Sequence, residues 1–316
     1  MLLLWQRFIL FKLNLQIYMK IYDCFMFSDE KMILDIRLNV LNEYVDHFII
    51  VESKYKHNGD IKNKNFDLNQ FSKFKNKIIY IYLDREPKDL ISTNIKNDED
   101  KKNRTLLHNT YLRENYQRNA IKDGILEAKA EDFIIIGDVD EIPNLKELNF
   151  QDKKNQIIIF KQMMFYYKFN LFYKELIWTG SKACTKKNLK SPQWLRNIKT
   201  KKYPLWRIDT LFSNKKYRNI NFIDNGGWHF TNMKTPEEIF LKLNTFLHNV
   251  DFKLSGLKLD DIKKMVIEKK ILYDHFTDQS KTDKWNSKIV LQSMDMSLLP
   301  EYIRKNSEKF KDWLEK

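Results

Sequence analysis

Residues 132–143 read Asp-Phe-Ile-Ile-Ile-Gly-Asp-Val-Asp-Glu-Ile-Pro. The run from Phe133 to Gly137 predicts a strand buried on both faces, the kind found in parallel sheets covered by helices. Pro143 ends the pairing, because proline has no N–H to give to a ladder. Just before it stand Asp138 and Asp140. Side chains at i and i+2 of an extended chain point the same way, so both carboxylates can reach one hard cation, and such a cation can hold a diphosphate. The triplet alone carries little weight in a chain that is 31% charged; a polar loop after a core strand looks the same.

Outward from this stretch, three more apolar runs precede it, at 21–27, 47–51 and 77–83, each separated from the next by polar or helical pattern. Strands alternating with helices imply a mostly parallel, Rossmann-like α/β sheet flanked by helices. Ser28 is a candidate cap for a helix with Asp29 and Glu30 in its first turn and an apolar stripe at Met32, Ile33, Ile36, Val40 and Leu41. A longer helix is expected at about 105–130, where Glu114, Gln117 and Arg118 share a face that either lines a cleft or is simply solvated. Past Pro143, residues 156–167 read as one long strand, followed by aromatic hairpins through Trp178 and strand-like pieces near Ala183 and Thr210. Thr235-Pro236-Glu237-Glu238 is a capping box with proline at the first helical position.

With 316 residues and 43% hydrophobic content, the chain can build a substantial core. A net charge of +14 suits an acidic or phosphorylated partner or an anionic membrane surface. The lysines are dispersed and no zinc-finger, helix-turn-helix or RNA-recognition signature accompanies them, so specific nucleic-acid binding is not indicated. Cys24 and Cys184 are far apart in apolar settings, which argues against a disulfide framework or a thiolate metal site and fits a reducing, cytoplasmic compartment. Residues 1–18 are apolar but interrupted by Gln6, Arg7, Lys12 and Asn14. They read as a leader or a misassigned start before Met19, with an interfacial helix as the alternative. The division expected is 1–18, a catalytic domain over 19–275, and a helical, basic tail over 276–316.

Three ordered blocks, Ile21-Tyr-Asp-Cys-Phe25 with Phe48-Ile-Ile-Val-Glu52, Asp138-Val-Asp-Glu-Ile-Pro143, and Gly227-Trp-His-Phe230, together resemble the family 17 glycosyltransferases, typified by the β-1,4-mannosyl-glycoprotein N-acetylglucosaminyltransferase. The resemblance implies a GT-A-like fold with a C-terminal hairpin and helical elaboration. It also implies a UDP-sugar donor, a glycan acceptor, a divalent metal (manganese, with magnesium as substitute), and transfer with inversion. The chain is shorter than animal members and lacks their cysteine pattern, which suggests a bacterial version building surface polysaccharide or lipo-oligosaccharide, with peripheral contact at the inner membrane face. A galactosyl or glucosyl donor, or a basic protein that binds without catalysis, are the alternatives. A phosphohydrolase using the same aspartates is disfavoured, since Glu141-Ile142 stands where that pattern has Gly-Thr.

On this reading Asp138 and Asp140 hold the metal, and the resemblance offers His229, in Asn225-Gly-Gly-Trp-His-Phe, as a third ligand. Glu52, at the end of the second strand, is placed to bond base or ribose, with Cys24 and Phe25 as a wall or as plain core. Arg118 and Asn119 precede the metal strand by one helix, where GT-A enzymes place an arginine against the diphosphate; Arg113 and Gln117 are secondary. Arg196 and Arg207 carry the planar fork that pairs phosphate oxygens. Glu141, Glu175 and Asp209 are candidates for the carboxylate that removes the acceptor proton. Trp178, Trp206 and Trp228 are candidates to stack on sugar.

Overall fold

The computed structural model describes residues 19–204, 206–245, 249–275, 285 and 287–315. The segment 1–18 and residues 276–284 of the expected tail lie outside them. The chain enters through β1 (Ile21–Phe27), α1 (Lys31–Leu41), β2 (His47–Ser53) and β3 (Ile78–Leu83), then passes through the long α2 (Glu99–Asn119) and the short α3 (Ile121–Gly124) into β4 (Phe133–Asp138). Next come β5 (Glu141–Pro143), β6 (Ile157–Phe160), β7 (Gln162–Tyr166), β8 (Leu171–Trp178), β9 (Lys182–Thr185), α4 (Pro192–Asn197), β10 (Ile220–Ile223) and β11 (Gly227–Thr231). Helices α5 (Pro236–Thr245), α6 (Asn249–Ser255) and α7 (Leu259–Ile267) follow, then β12 (Gln292–Ser293) and α8 (Glu301–Lys305).

Seven strands form the main sheet in the order β10-β6-β9-β4-β1-β2-β3. Strands β4, β1, β2 and β3 are parallel, and β9 runs antiparallel to both β4 and β6. This mixed α/β layering, with helices on both faces, is compatible with a GT-A-like fold. Alternate residues of the central strands feed two separate cores. Phe25, Phe27, Phe48, Ile50, Phe133 and Ile135 face one side, while Tyr22, Cys24, Ile49, Val51, Ile134 and Ile136 face the other. Each such side chain contributes about 1.5–3 kcal/mol of burial. Both cysteines are free and buried, and burial pushes the Cys184 thiol up to about 12.

The chain moves outward from β1 to β3 and returns as β4 on the opposite side of β1. The carboxyl ends of β1 and β4 therefore form a switch point, the place where open α/β sheets leave a crevice, and Met26 pairs there with Asp138.

Several local expectations shift. The first helix begins at Lys31, not after a Ser28 cap, because Glu30 folds back and its Oε2 accepts the N–H groups of Ser28 and Asp29 at 3.1 and 3.0 Å. The run 156–167 splits at Lys161, which bonds Ile223 and Gly226 through its backbone; β6 stays in the main sheet and β7 joins a second sheet, β12-β8-β7-β11-β5. Thr210 lies in a short 3-10 turn (Ile208–Thr210), not a strand. The Thr235 capping box forms as read, with Thr235 N–H on Glu238 Oε2 at 2.8 Å and Glu238 N–H on Thr235 Oγ1 at 3.3 Å. The described part of 276–316 holds the two-residue β12, short 3-10 turns and α8, and it packs Leu299, Ile303 and Phe310 into the core.

Candidate active site

Two cavities of about 240 Å³ each open at the switch point. The first is walled by Met26, Phe27 and Ser28 from the end of β1, by Glu114, Gln117 and Arg118 from α2, by His57, and by Asp138, Val139 and Asp140. The second lies between the start of α1, the end of β11 and the C-terminal segment, and includes Met32, Phe230, Asn232 and Trp313. Glu30, Asp140 and Lys242 line both.

Asp138 closes β4 and is about one-third exposed. Its Oδ1 accepts from Arg118 Nη2 at 3.1 Å and its Oδ2 from Arg196 Nη2 at 2.7 Å. Burial alone would raise its pKa, but Arg196 and Arg118 outweigh that and hold the carboxyl well below the usual range. Arg196 also grips Glu141 with both prongs, Nη1 to Oε2 and Nη2 to Oε1, each at 2.6 Å. Glu141 further accepts Trp178 Nε1–H at 2.6 Å and Asp138 N–H at 2.9 Å. With no exposure and four donors on its two oxygens, this carboxylate is an anchor for the turn and is not presented to either cavity. Gly180 makes the arrangement possible, since a Cβ there would sit 2.0 Å from Glu141 Oε1.

Beneath the same turn lies a pair the sequence did not disclose. Arg37 of α1 is fully buried; its Nε and Nη2 bond Asp23 of β1 at 2.8 and 2.7 Å. Its Nη1 donates to the main-chain oxygens of Asp138 at 2.8 Å, Val139 at 3.3 Å and Glu141 at 2.8 Å. Five hydrogen bonds from one guanidinium, three of them shared among the two N–H groups of Nη1, thus tie β1 to the Asp-Val-Asp-Glu turn.

Asp140 projects from that turn toward His229, which sits on β11 opposite Glu141 in the register. Asp140 Oδ2 and His229 Nε2 are 3.6 Å apart, longer than a good hydrogen bond and suited to two donors sharing one cation. Burial raises the Asp140 pKa, but His229 and, further down, Lys242 outweigh it, so the net shift is downward. The His229 ring lies against Trp178, centroids 4.7 Å apart, and its Nδ1 is buried with no hydrogen-bond partner among the described residues. Among the described residues no three imidazole, thiol or carboxylate groups form a preformed metal cage, because Asp138 is turned to its arginines. The donors present therefore fit a divalent ion held by Asp140 and His229, with ligand and water oxygens filling the remaining positions.

Apart from Gln117 and Arg118, which wall the first cavity, the other candidates lie elsewhere. Glu52 is fully buried and accepts from Lys62 Nζ, Asn65 N (2.8 Å), Phe66 N (3.0 Å) and Tyr80 Oη (2.8 Å), so it braces the 62–66 segment and lines neither cavity. Asn119 accepts Gln193 N–H at 3.1 Å, tethering the start of α4. Arg118 also holds Gln193 Oε1 at 2.6 Å and Glu114 at 2.8 Å. Arg113 pairs with Glu86 at 2.7 Å, and Gln117 bonds Val51 O at 2.9 Å. Arg207 and Asp209 pair with each other at 2.7 Å on the exterior, where Asp209 also meets Lys216. Glu175 is exposed on β8. Trp178 belongs to the Glu141 anchor, Trp228 bonds Leu298 O at 2.8 Å within the core, and Trp206 is on the outer surface. Cavity residues not anticipated include Glu30, His57, Lys242 and Trp313. His57 is half-buried, and desolvation pushes its imidazole pKa down despite the opposing pull of Glu114. Only Glu30 left a trace in the sequence, as an acidic residue just after the first strand.

No curated protein matches the chain. The family model for glycosyltransferase family 17 matches residues 12–315, a span that takes in every element bordering the two cavities, and on that match the protein belongs to glycosyltransferase family 17.

Proposed function

We propose that this glycosyltransferase moves a sugar, N-acetylglucosamine first among the candidates, from a UDP-sugar to a glycan with inversion and in dependence on a divalent metal. One observation carries the reading. In a chain of net charge +14, the cavity at the switch point is locally acidic, with Glu30, Glu114, Asp138 and Asp140 set against Arg118 and Lys242. Such a wall repels a bare diphosphate and suits a diphosphate carried with a cation.

Asp140 and His229 would hold the ion, manganese or in its place magnesium, which when bound supplies neutralisation of the charge that develops on the departing UDP. Arg118, held in place by Glu114, Gln193 and Asp138, presents fixed positive charge on the same side. Asp138, pinned by two guanidiniums, keeps its carboxylate at the cavity edge without needing to reorganise. Met26, Phe27 and Val139 give the cavity an apolar wall for the nucleoside. Incubation of the purified protein with a panel of UDP-sugars and manganese tests this: slow hydrolysis of one donor above the rest is the expected result, and equal inertness of all of them contradicts it.

The acceptor fits a surface polysaccharide or lipo-oligosaccharide assembled at the cytoplasmic side of the inner membrane. Trp206, Ile208, Leu211 and Phe212 are 75, 66, 68 and 86% exposed, and Lys199, Lys201, Lys202 and Lys215 flank them in the sequence, with Lys199 N–H bonded to Lys215 O at 2.8 Å. Large apolar side chains held in water beside lysines suit insertion at the interface of an anionic bilayer. No helix among the described residues is long and apolar enough to cross a membrane. Flotation with phosphatidylglycerol vesicles, lost in Trp206→Ser/Phe212→Ser and absent with phosphatidylcholine alone, is the expected outcome; equal flotation of the variant would remove this surface from the account.

A further inference from the structure

The two cavities meet at three side chains, Glu30, Asp140 and Lys242, and this junction gives the second cavity a role. We propose that the second cavity is the acceptor subsite, that the indole of Trp313 is the platform on which the acceptor's terminal sugar ring lies, and that Glu30 is the catalytic base. The proposal rests on the donor reading above, since it takes the first cavity to hold the nucleotide sugar.

Trp313 is half-buried on the wall of this cavity and also borders a neighbouring one toward Lys309 and Gln70. Its position is fixed. The Trp313 main-chain oxygen accepts Phe169 N–H at 2.8 Å, and two residues on, Glu315 exchanges bonds with the Asn170 side chain at 2.7 and 2.9 Å. The chain end is thereby strapped across the turn before β8. An aromatic face held at a cavity edge, with Met32, Met233 and Phe230 beside it and Asn232 and Lys242 as polar partners, is the mixed lining that receives the apolar face and hydroxyl rim of a sugar. The volume of about 240 Å³ lies below the ~300–1,000 Å³ that encloses larger ligands, which suits one ring with the rest of the glycan outside.

Glu30 is the carboxylate that borders both cavities apart from the metal-holding Asp140. Its Oε2 is occupied by the N–H groups of Ser28 and Asp29, while Oε1 has no hydrogen-bond partner among the described residues. The other acidic groups of the second cavity are engaged: Asp29 with Lys234 at 2.8 Å, and Glu238 with the Thr235 N–H. In the step, the acceptor hydroxyl loses its proton to Glu30 as its oxygen bonds the anomeric carbon. The bond from that carbon to the UDP oxygen breaks, and UDP leaves with the electron pair.

Saturation-transfer NMR in UDP and magnesium, with the methyl β-glycosides of glucose, galactose, mannose and N-acetylglucosamine as probes, tests the subsite. Calorimetric titration of UDP is run on every variant. Wild type is expected to transfer saturation to at least one glycoside. Trp313→Ala should lose that signal at unchanged UDP affinity, and Trp313→Phe should keep part of it. Glu30→Gln should retain both UDP binding and the glycoside signal while sugar transfer to that glycoside falls by more than 100-fold. An undiminished glycoside signal in Trp313→Ala, or no signal in wild type with UDP bound, overturns the subsite. Transfer by Glu30→Gln near the wild-type rate overturns the base. Failure of wild type to bind UDP at all sinks the donor reading instead, and the subsite with it.

Discussion

Arg37 donates from Nη1 to the main-chain oxygen of Asp138 at 2.8 Å from a guanidinium with no solvent exposure. Asp138, at the cavity edge, is thus fixed through its backbone by Arg37 of α1, while its carboxylate is fixed by Arg118 and Arg196. Positional precision in the Asp-Val-Asp-Glu turn comes from buried arginine, not from the strand alone.

Arg37→Met should destabilise the fold by about 3–5 kcal/mol, because it leaves the Asp23 carboxylate buried without its partner. Urea denaturation measures it. The double variant Asp23→Leu/Arg37→Met should recover much of that stability yet remain poorly active, because the turn carbonyls still lack their donor.

Asp140→Asn should leave the fold intact and lower transfer by about 100-fold or more, the scale on which loss of transition-state charge stabilisation is felt. Its UDP affinity should no longer respond to manganese. Steady-state kinetics and calorimetry together read both effects.

Glu141→Gln separates an anchor from a base. Its four hydrogen bonds predict a stability loss of about 1–3 kcal/mol with transfer kept within about tenfold, while Glu30→Gln loses far more activity at unchanged stability. The reverse order of activities would return Glu141 to the catalytic step.

Lys182 gives the fold a pH dependence. Burial, with Arg196 adding to it, lowers its pKa to about 7 from 10.5. Below about 7 the lysine is protonated in both folded and unfolded chains and contributes no slope. Between about 7 and 10.5 the unfolded chain binds the extra proton, so the contribution of Lys182 to stability rises with pH and then levels off. In Lys182→Met this rise should flatten, as measured by denaturation midpoints across that window.

The strands of the central sheet were legible because apolar runs rich in aromatic and β-branched residues have few alternatives: β1 is read at its observed limits and β4 to within one residue. The same run placed Asp138 at a strand end, but the extended geometry expected to carry Asp140 on the same face is not what forms: β4 stops at Asp138, whose carboxylate turns to Arg118 and Arg196, and Asp140 lies in the turn that follows. The fate of the other acids was not legible. Glu52 and Glu141 look as available as Asp140 in sequence, yet backbone N–H groups, Tyr80, Trp178 and Arg196 consume their lone pairs through contacts that only the tertiary fold creates. Arg37 lies on a helix turn where arginines are commonly solvated, and nothing local announces Asp23 across the strand. Trp313 stood in a segment without readable periodicity; its meaning comes from the strap to Asn170.

The most direct test of the account is calorimetric titration of UDP into the protein with and without manganese. The account predicts binding that strengthens markedly with manganese in wild type and loses that dependence in Asp140→Asn and in His229→Ala. UDP affinity that is identical with and without the metal in wild type would contradict it.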